Sequence, residues 1–119
     1  MSAPTYKQTH PLETRIAEGI KIKSKYPDRI PIICEKREGS ILPDADKSKY
    51  LVPNDLTAFN FNHIIRKKLK LPETATLYFF VNGKYLLKGD TLMSDIYNQR
   101  KDEDGFLYVI YCEEDTVGF

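Results

Sequence analysis

The stretch Phe106-Leu107-Tyr108-Val109-Ile110-Tyr111-Cys112, close to the end of this 119-residue chain, decides the fold. Its β-branched and aromatic residues favour a strand. Alternate residues of a strand point to opposite sides, and here both sides are apolar. The two sides are Phe106, Tyr108 and Ile110 on one, and Leu107, Val109 and Tyr111 on the other. We therefore predict a central strand that is covered on both faces of its sheet.

A hairpin is predicted just before this strand. Leu77–Val81 is a nearly continuous apolar run, which is typical of a buried strand. Asn82-Gly83 is a strong signal for a tight hairpin turn, so Lys84–Leu87 is predicted as the returning strand. A short helix over Thr91–Arg100 and an acidic turn over Lys101–Gly105 then lead into the last strand.

The first segment, Thr9–Lys25, is predicted to be a helix that follows a short turn around Pro4–Gln8. Leu12, Ile16 and Ile20 recur every four residues and fall on one apolar face of this helix. Pro11 suits the first helical position, and Pro27 ends the helix because the residue before a proline is pushed out of the α region.

The next strand is predicted over Asp28–Arg37, with Ile30, Ile32 and Cys34 on one side. Pro31 leaves two possibilities open. Either this strand is a sheet edge, or the missing N–H of Pro31 faces another element or a partner.

Loop Glu38–Lys47 leads to a short predicted strand, Ser48–Pro53, which also has two interpretations. If it is a sheet edge, its free backbone groups can accept an extended peptide as an added strand. Alternatively, it is a core strand whose edge is protected by Lys47 and Lys49.

The main helix is predicted from about Thr57 to Lys70, with Asn54 or Asp55 as its cap. Its basic last turn agrees with the helix dipole. Phe61 lies off the apolar stripe of this helix. The stripe consists of Leu56, Phe59, Ile64, Ile65 and Leu69.

The order of elements predicts an α+β fold, the ubiquitin-like β-grasp with an additional N-terminal helical extension. One helix cannot cover both faces of the last strand, so we expect the N-terminal helix to pack opposite the main helix. Residues 1–26 are assigned to the extension, 27–112 to the β-grasp core and 113–119 to a flexible C-terminal tail, all within one domain.

Charge and composition exclude several functions. The 18 Lys/Arg and 17 Asp/Glu give a net charge of +1, which argues against a globally basic nucleic-acid-binding protein. The balance is uneven, because residues 1–68 carry 13 − 8 = +5 and residues 69–119 carry 5 − 9 = −4. The basic Arg66–Lys70 end of the main helix is better explained by solvent or an acidic peptide than by nucleic acid.

Enzyme chemistry and resident metals are not expected. The two cysteines and two histidines are too few for a disulfide scaffold or a four-ligand zinc site. Cys34 with His63 is the only conceivable catalytic pair, and Cys34 is better interpreted as a buried, inert thiol. We expect neither a secretory signal nor a transmembrane helix.

Several motifs together give the chain a specific resemblance. It resembles the autophagy ubiquitin-like modifiers, relatives of the GABA-receptor-associated protein and the microtubule-associated protein light chain three, from about Tyr6 to Gly118. The motifs are Lys25–Pro31, Asp46–Thr57, Ile65–Lys67, Phe79–Asn82 and Phe106–Tyr108.

The resemblance implies a modifier rather than an enzyme. A cysteine protease would remove Phe119 and expose Gly118. Activating and conjugating enzymes would then carry Gly118 as thioesters to the amine of phosphatidylethanolamine, with no other cofactor. The resemblance thus implies a monomer in the cytoplasm that moves to autophagosomes or related vesicle membranes after lipidation. The alternative is an unconjugated β-grasp adaptor in vesicle trafficking or cytoskeletal binding. Val117 departs from the aromatic residue that often precedes the family's glycine.

The resemblance also implies a groove for receptors that carry aromatic-x-x-aliphatic motifs, bound beside the Lys49–Val52 strand. The aromatic pocket would comprise Glu18, Ile22, Pro31, Lys49, Leu51 and Phe106. The aliphatic pocket would comprise Tyr50, Val52, Pro53, Leu56, Phe61 and Ile64. Acids flanking the motif would meet Arg29, Lys47 and Lys68.

Overall fold

A computed structural model describes residues 4–113 as a single sheet with helices on both faces. The strands follow the order β2-β1-β5-β3-β4, so β5 is central, parallel to β1 and antiparallel to β3. The elements are α1 (Tyr6–Thr9), α2 (Leu12–Lys25), β1 (Arg29–Lys36), β2 (Lys49–Pro53), α3 (Ala58–Leu69), β3 (Tyr78–Val81), β4 (Tyr85–Leu86), α4 (Met93–Arg100) and β5 (Leu107–Cys112).

Two apolar clusters, one on each face of the sheet, confirm that the last strand is covered on both sides. Leu107 and Val109 belong to the larger cluster, which includes the buried residues of α3. Phe106 and Tyr108 belong to the smaller cluster, against which Ile22 of α2 packs. The N-terminal helices therefore lie opposite α3, as predicted, and the β-grasp arrangement is confirmed.

The predicted first helix was wrong at its start. A separate one-turn helix, α1, precedes it and is closed by a capping box between Thr5 and Gln8. Pro11 is the N-cap of α2 rather than its first helical residue, with an extended backbone at φ −65° and ψ 156°. The chain therefore turns between the two helices at His10 and Pro11.

The apolar face predicted for α2 is not the face that packs. Ile20 is 64% exposed and Leu12 is 38% exposed, whereas Arg15 and Gly19 are buried. A Cβ on Gly19 would lie 2.3 Å from the carbonyl oxygen of Asp104, so only glycine allows this approach of the helix to the turn before β5. Close backbone contact, a buried charge and Ile22 therefore orient α2, rather than the predicted Leu12 and Ile20.

That buried charge is an ion pair between α2 and the turn before β5. Arg15 Nη1 lies 2.6 Å from Asp104 Oδ2, and the Asp104 side chain is fully buried. Tyr108 Oη donates to the same oxygen at 2.5 Å, and Phe106 N donates to Oδ1 at 2.8 Å. Burial, reinforced by the hydrogen bond to Asp104, raises the pKa of Tyr108. The bonds satisfy the Asp104 carboxylate and attach the N-terminal extension to the sheet.

The main helix also differs from its prediction. Thr57 is the N-cap, in a capping box with Asn60, instead of Asn54 or Asp55. Phe59 is 68% exposed, whereas Phe61 is fully buried with Ile65 and Leu69 at four-residue spacing. The stripe that packs on the sheet therefore runs through Phe61, and Phe59 lies outside it.

The predicted hairpin between β3 and β4 is confirmed. Asn82 and Gly83 have φ values of 55° and 72°, which the left-handed positions of a type I′ turn require. Lys84 N donates to Val81 O at 3.0 Å and closes the turn.

Candidate functional site

Strand β2 is an edge of the sheet, because it lies first in the strand order and, among residues 4–113, pairs only with β1. This resolves the two interpretations of the Lys49–Val52 segment in favour of an edge. It also shows that β1 is not an edge, so the first interpretation of Pro31 was wrong. Pro31 pairs with Leu51, and pairing with β5 begins one residue later, at Ile32. The missing N–H of Pro31 therefore interrupts no bond to β5.

The register of β2 decides which backbone groups are free. Cys34 N of the β1 segment donates to Ser48 O at 2.7 Å, so the backbone of Ser48 faces β1. Backbone groups alternate in direction along an antiparallel pair. Tyr50 therefore also faces β1, while the N–H and C=O groups of Lys49 and Leu51 point away from the sheet. These are the groups that an added strand would bond.

The six residues predicted for the aromatic pocket come together on the α2 side of this edge. Pro31 and Leu51 are register partners, and Ile22 packs against the cluster that holds Phe106. Phe106 is fully buried beneath this surface, whereas Ile22 and Leu51 are half-buried and reach the surface.

An ion pair between Glu18 and Lys49 bridges α2 and β2 across the mouth of the aromatic pocket. Its hydrogen bond lowers the pKa of Glu18. Tyr6 Oη donates to the other Glu18 oxygen at 3.1 Å, and Lys49 Nζ lies 5.4 Å from the centroid of the Tyr6 ring. Burial, with a further contribution from Glu18, raises the pKa of Tyr6 to about 12. Sequence reasoning missed Tyr6, which shows no apolar periodicity in its short helix.

The residues predicted for the aliphatic pocket lie on the α3 side, at two depths. Leu56 and Ile64 are half-buried and Pro53 is exposed, so these residues reach the surface. The other members are core residues: Tyr50, Val52 and Phe61 are 5%, 4% and 0% exposed.

Phe61 was predicted to lie off the apolar stripe of α3 and was included in this pocket by resemblance. Its ring instead packs inside the core, with ring centroids 6.3 Å from Tyr50 and 5.2 Å from Phe79. Phe61 can support the pocket only from below.

Two of the three cations predicted to meet acids lie at the ends of the edge strand. Arg29 begins β1 opposite Pro53, at one end of β2. Lys47 precedes the other end, with Nζ 4.8 Å from the centroid of the Tyr50 ring. Lys68 is exposed on the last turn of α3. The edge therefore carries positive charge at both ends.

Two open clefts among residues 4–113 lie away from this edge. One, of about 910 Å³, lies between α1 and the β1–β2 loop and shares only Lys47 with the predicted site. Another, of about 570 Å³, lies near the β3–β4 turn and shares none. A strand-accepting edge is an open surface, so this difference does not argue against it.

The side chains considered for metal binding and for the Cys34–His63 pair can be located within residues 4–113. No group of three or more His, Cys, Asp or Glu side chains there is arranged to hold a metal. Cys34 is buried, as predicted, and burial raises the pKa of its thiol, while His63 is exposed. Across the same residues no helix has the length and apolar character of a membrane span.

A β-grasp sheet crossed by one helix, with a helical extension on its other face and a free edge strand, defines a ubiquitin-like protein. The chain belongs to the family described as autophagy protein Atg8, ubiquitin-like, whose model matches residues 14–118. It is 51% identical to autophagy-related protein 8 of Pichia angusta over 113 residues, covering 95% of this chain and 90% of that protein. It is 50% identical to autophagy-related protein 8 of Candida albicans, again over 95% of this chain and 83% of that protein. The predicted family is confirmed, and the chain is a ubiquitin-like modifier of autophagy.

Proposed function

We propose that this modifier is trimmed after Gly118, is joined through Gly118 to phosphatidylethanolamine, and recruits receptors to autophagic membranes through the β2 edge. In this role it is a substrate of enzymes rather than an enzyme. The observation that carries the receptor-binding part is the distribution of the two predicted pockets on opposite faces of one edge strand.

Strand geometry connects this distribution to the motif. Successive side chains of an extended peptide point to opposite faces, so residues three apart, such as the aromatic and the aliphatic of the motif, also point to opposite faces. A peptide paired with the Lys49 and Leu51 backbone would place one anchor toward α2 and the other toward α3. The two surfaces it meets there are the half-buried Ile22 and Leu51 on one side, and Leu56 and Ile64 on the other.

The charges around the edge support an acidic partner. Arg29 and Lys47 lie at its two ends and Lys68 is exposed on α3, and acids that precede the motif would pair with them. Exposed ion pairs contribute little to affinity but accelerate encounter. We expect micromolar affinity, about −8 kcal/mol, from so short a contact. Many copies on one membrane would raise the effective affinity by avidity.

The conjugation part concerns Gly118 and Phe119, which lie outside the described residues. Support comes from the family and from chemistry. A glycine has no Cβ to obstruct attack on its carbonyl, and a phospholipid brings two acyl chains, enough for stable anchoring. Such an anchor would take the chain from the cytoplasm to autophagosomes or related vesicles. Relatives often carry an aromatic residue where this chain has Val117, so we expect the trimming protease to recognise the tail differently at that position.

The groove is tested by titrating a fluorescent aromatic-x-x-aliphatic peptide against the full chain. Leu51→Ala removes a surface-reaching anchor without touching the buried Tyr50, and we expect binding to weaken by about 2 kcal/mol. Phe59→Ala is the matched control, because it truncates an exposed apolar side chain away from the edge. Equal binding by wild type and Leu51→Ala would rule out the groove.

Conjugation is tested in cells by intact mass and membrane fractionation. The wild type should yield a form that has lost Phe119 and gained a phospholipid, and Gly118→Ala should yield none. Persistence of Phe119 in every form of the wild type would favour the alternative, an unconjugated trafficking or cytoskeletal adaptor. An unchanged lipidated form in Gly118→Ala would defeat the assignment of Gly118.

A further inference from the structure

Glu113, the last described residue, is held by three hydrogen bonds where the chain leaves β5. Ser40 Oγ donates to Glu113 Oε1 at 2.8 Å, and Ile41 N donates to Oε2 at 2.9 Å. Thr76 Oγ1 donates to the Glu113 carbonyl oxygen at 2.6 Å. We call these four residues the tail clamp. It joins the β1–β2 loop and the α3–β3 loop to the root of the C-terminal tail.

The negative charge of the Glu113 carboxylate strengthens the hydrogen bonds of the tail clamp. The bond from Ile41 N lowers the pKa of Glu113, partial burial opposes this, and the Ser40 hydroxyl and the nearby Arg37 add to the lowering. The carboxylate is therefore charged at neutral pH. Hydrogen bonds to a charged acceptor are about twice as strong as those between neutral groups.

The loop that holds Glu113 is itself braced. Ser40 N donates to Arg37 O at 3.0 Å, and Leu42 N donates to Ser40 Oγ at 3.1 Å. Tyr111 Oη of β5 donates to Pro43 O at 2.8 Å, which ties the far side of the loop to the sheet. The loop that carries two of the donors, Ser40 and Ile41, is thus held in place by bonds that do not involve Glu113.

The clamp limits where the end of the tail can go. Gly118 follows Glu113 by 118 − 113 = 5 residues, and five extended residues span at most about 17 Å. An enzyme that acts on Gly118 while it holds the folded body must place its active site within that distance of the clamp.

We propose that Glu113 is a positioning residue that presents Gly118 to the enzymes that trim and activate the tail, an inference that rests on the proposed function. Without the clamp, the root of the tail gains conformational freedom, which the enzyme must remove on binding. Ordering the backbone of one residue corresponds to about a tenfold change in an equilibrium constant. The freedom is lost on binding and not in the chemical step, so KM should rise while kcat stays nearly constant.

The experiment follows release of Phe119 from the full chain by the family's trimming cysteine protease, read by mass spectrometry. Glu113→Ala should raise KM about tenfold with kcat preserved. Ser40→Ala should give a smaller rise, and the double variant should be no worse than Glu113→Ala, because both changes remove the same contact. Glu114→Gln is the matched control, since it removes one negative charge a single position further on, and it should behave as wild type.

A second measurement reports the clamp independently of the enzyme. The Ile41 amide proton shift should titrate with the Glu113 carboxylate in the wild type and be flat in Glu113→Ala, with the unfolding midpoint little changed. Wild-type KM for Glu113→Ala, an equal effect of Glu114→Gln, or a wild-type Ile41 amide that does not titrate would each overturn the inference. Failure of the wild type to be trimmed at all would instead overturn the proposed function, and with it the role given to Glu113.

Discussion

Gly19→Ala tests the contact that docks the N-terminal extension. The added Cβ would lie 2.3 Å from the carbonyl oxygen of Asp104 and 3.5 Å from its carbonyl carbon. Both are backbone atoms that cannot rotate away, so α2 must move off the turn before β5. That movement also disturbs the bond of 2.6 Å between Arg15 and Asp104, and it carries Glu18 and Ile22 away from the β2 edge.

Two effects of opposite sign set the magnitude. Alanine is about 1 kcal/mol better than glycine within a helix. Overpacking costs about 1–3 kcal/mol, and so short an approach belongs at the upper end. Complete loss of a partner from a buried ion pair would cost about 3–5 kcal/mol, and a shift of α2 would lose part of that stabilisation. The net expectation is a loss of about 2–4 kcal/mol in the free energy of unfolding, with the steric effect dominant.

Urea unfolding of the full chain, followed by circular dichroism, measures this change in the free energy of unfolding. The titration with the aromatic-x-x-aliphatic peptide measures the effect on binding at the β2 edge. Ala17→Gly is the control, because residue 17 is exposed on the same helix and should lose only about 1 kcal/mol of helix propensity. Gly19→Ala should also weaken the peptide more than Ala17→Gly does. If Gly19→Ala were as stable as the wild type, or more stable, the close approach of α2 to Asp104 would be refuted.

Three further outcomes are expected. Phe61→Ala should lose about 3–5 kcal/mol in urea unfolding and Phe59→Ala close to nothing, and similar losses would show that the packed face of α3 is misassigned. The folded-state pKa of Glu18 is lowered by Lys49, so the stabilisation is present above the ordinary value near 4.5 and is lost as the pH falls through the folded value. The stability of wild type relative to Glu18→Gln should therefore shrink as the pH falls below that ordinary value, and a constant difference would contradict the ion pair. Cys34 should react with a thiol-alkylating reagent only at the rate of protein opening, whereas rapid labelling under native conditions would show an accessible thiol.

Local signals predicted most of the β-grasp core. The double-sided apolar pattern of Phe106–Cys112 indicated a central strand, and the positive φ values at Asn82 and Gly83 agree with the turn predicted from those residue types. These signals worked because strand alternation and tight-turn conformations depend on neighbours within a few residues. The residues of the site were named through family resemblance, and their distribution on two faces of one edge became visible only in the structure.

Local signals did not predict which face of each helix packs or which side chains are buried. Periodicity chose Leu12, Ile16 and Ile20 as the packing face of α2, whereas the structure packs Arg15 and Gly19. Apolar periodicity counts only apolar residues, so it cannot identify a buried arginine or a glycine as part of the packed face. Periodicity also placed Phe59 on the packed face of α3 and Phe61 off it. In the structure Phe61 is buried against the sheet and Phe59 is exposed.

The sequence alone therefore determined the order of elements from α2 onward, the central strand and the hairpin of this ubiquitin-like modifier, since each depends on residues close together in the chain. Tertiary structure alone decided which face of α2 packs, because Arg15 and its partner Asp104 are 89 residues apart. It also decided that β2 is a free edge, which depends on the order in which distant strands pair. The physical reason is the same in both cases: long-range contacts choose among arrangements that local patterns leave equally possible.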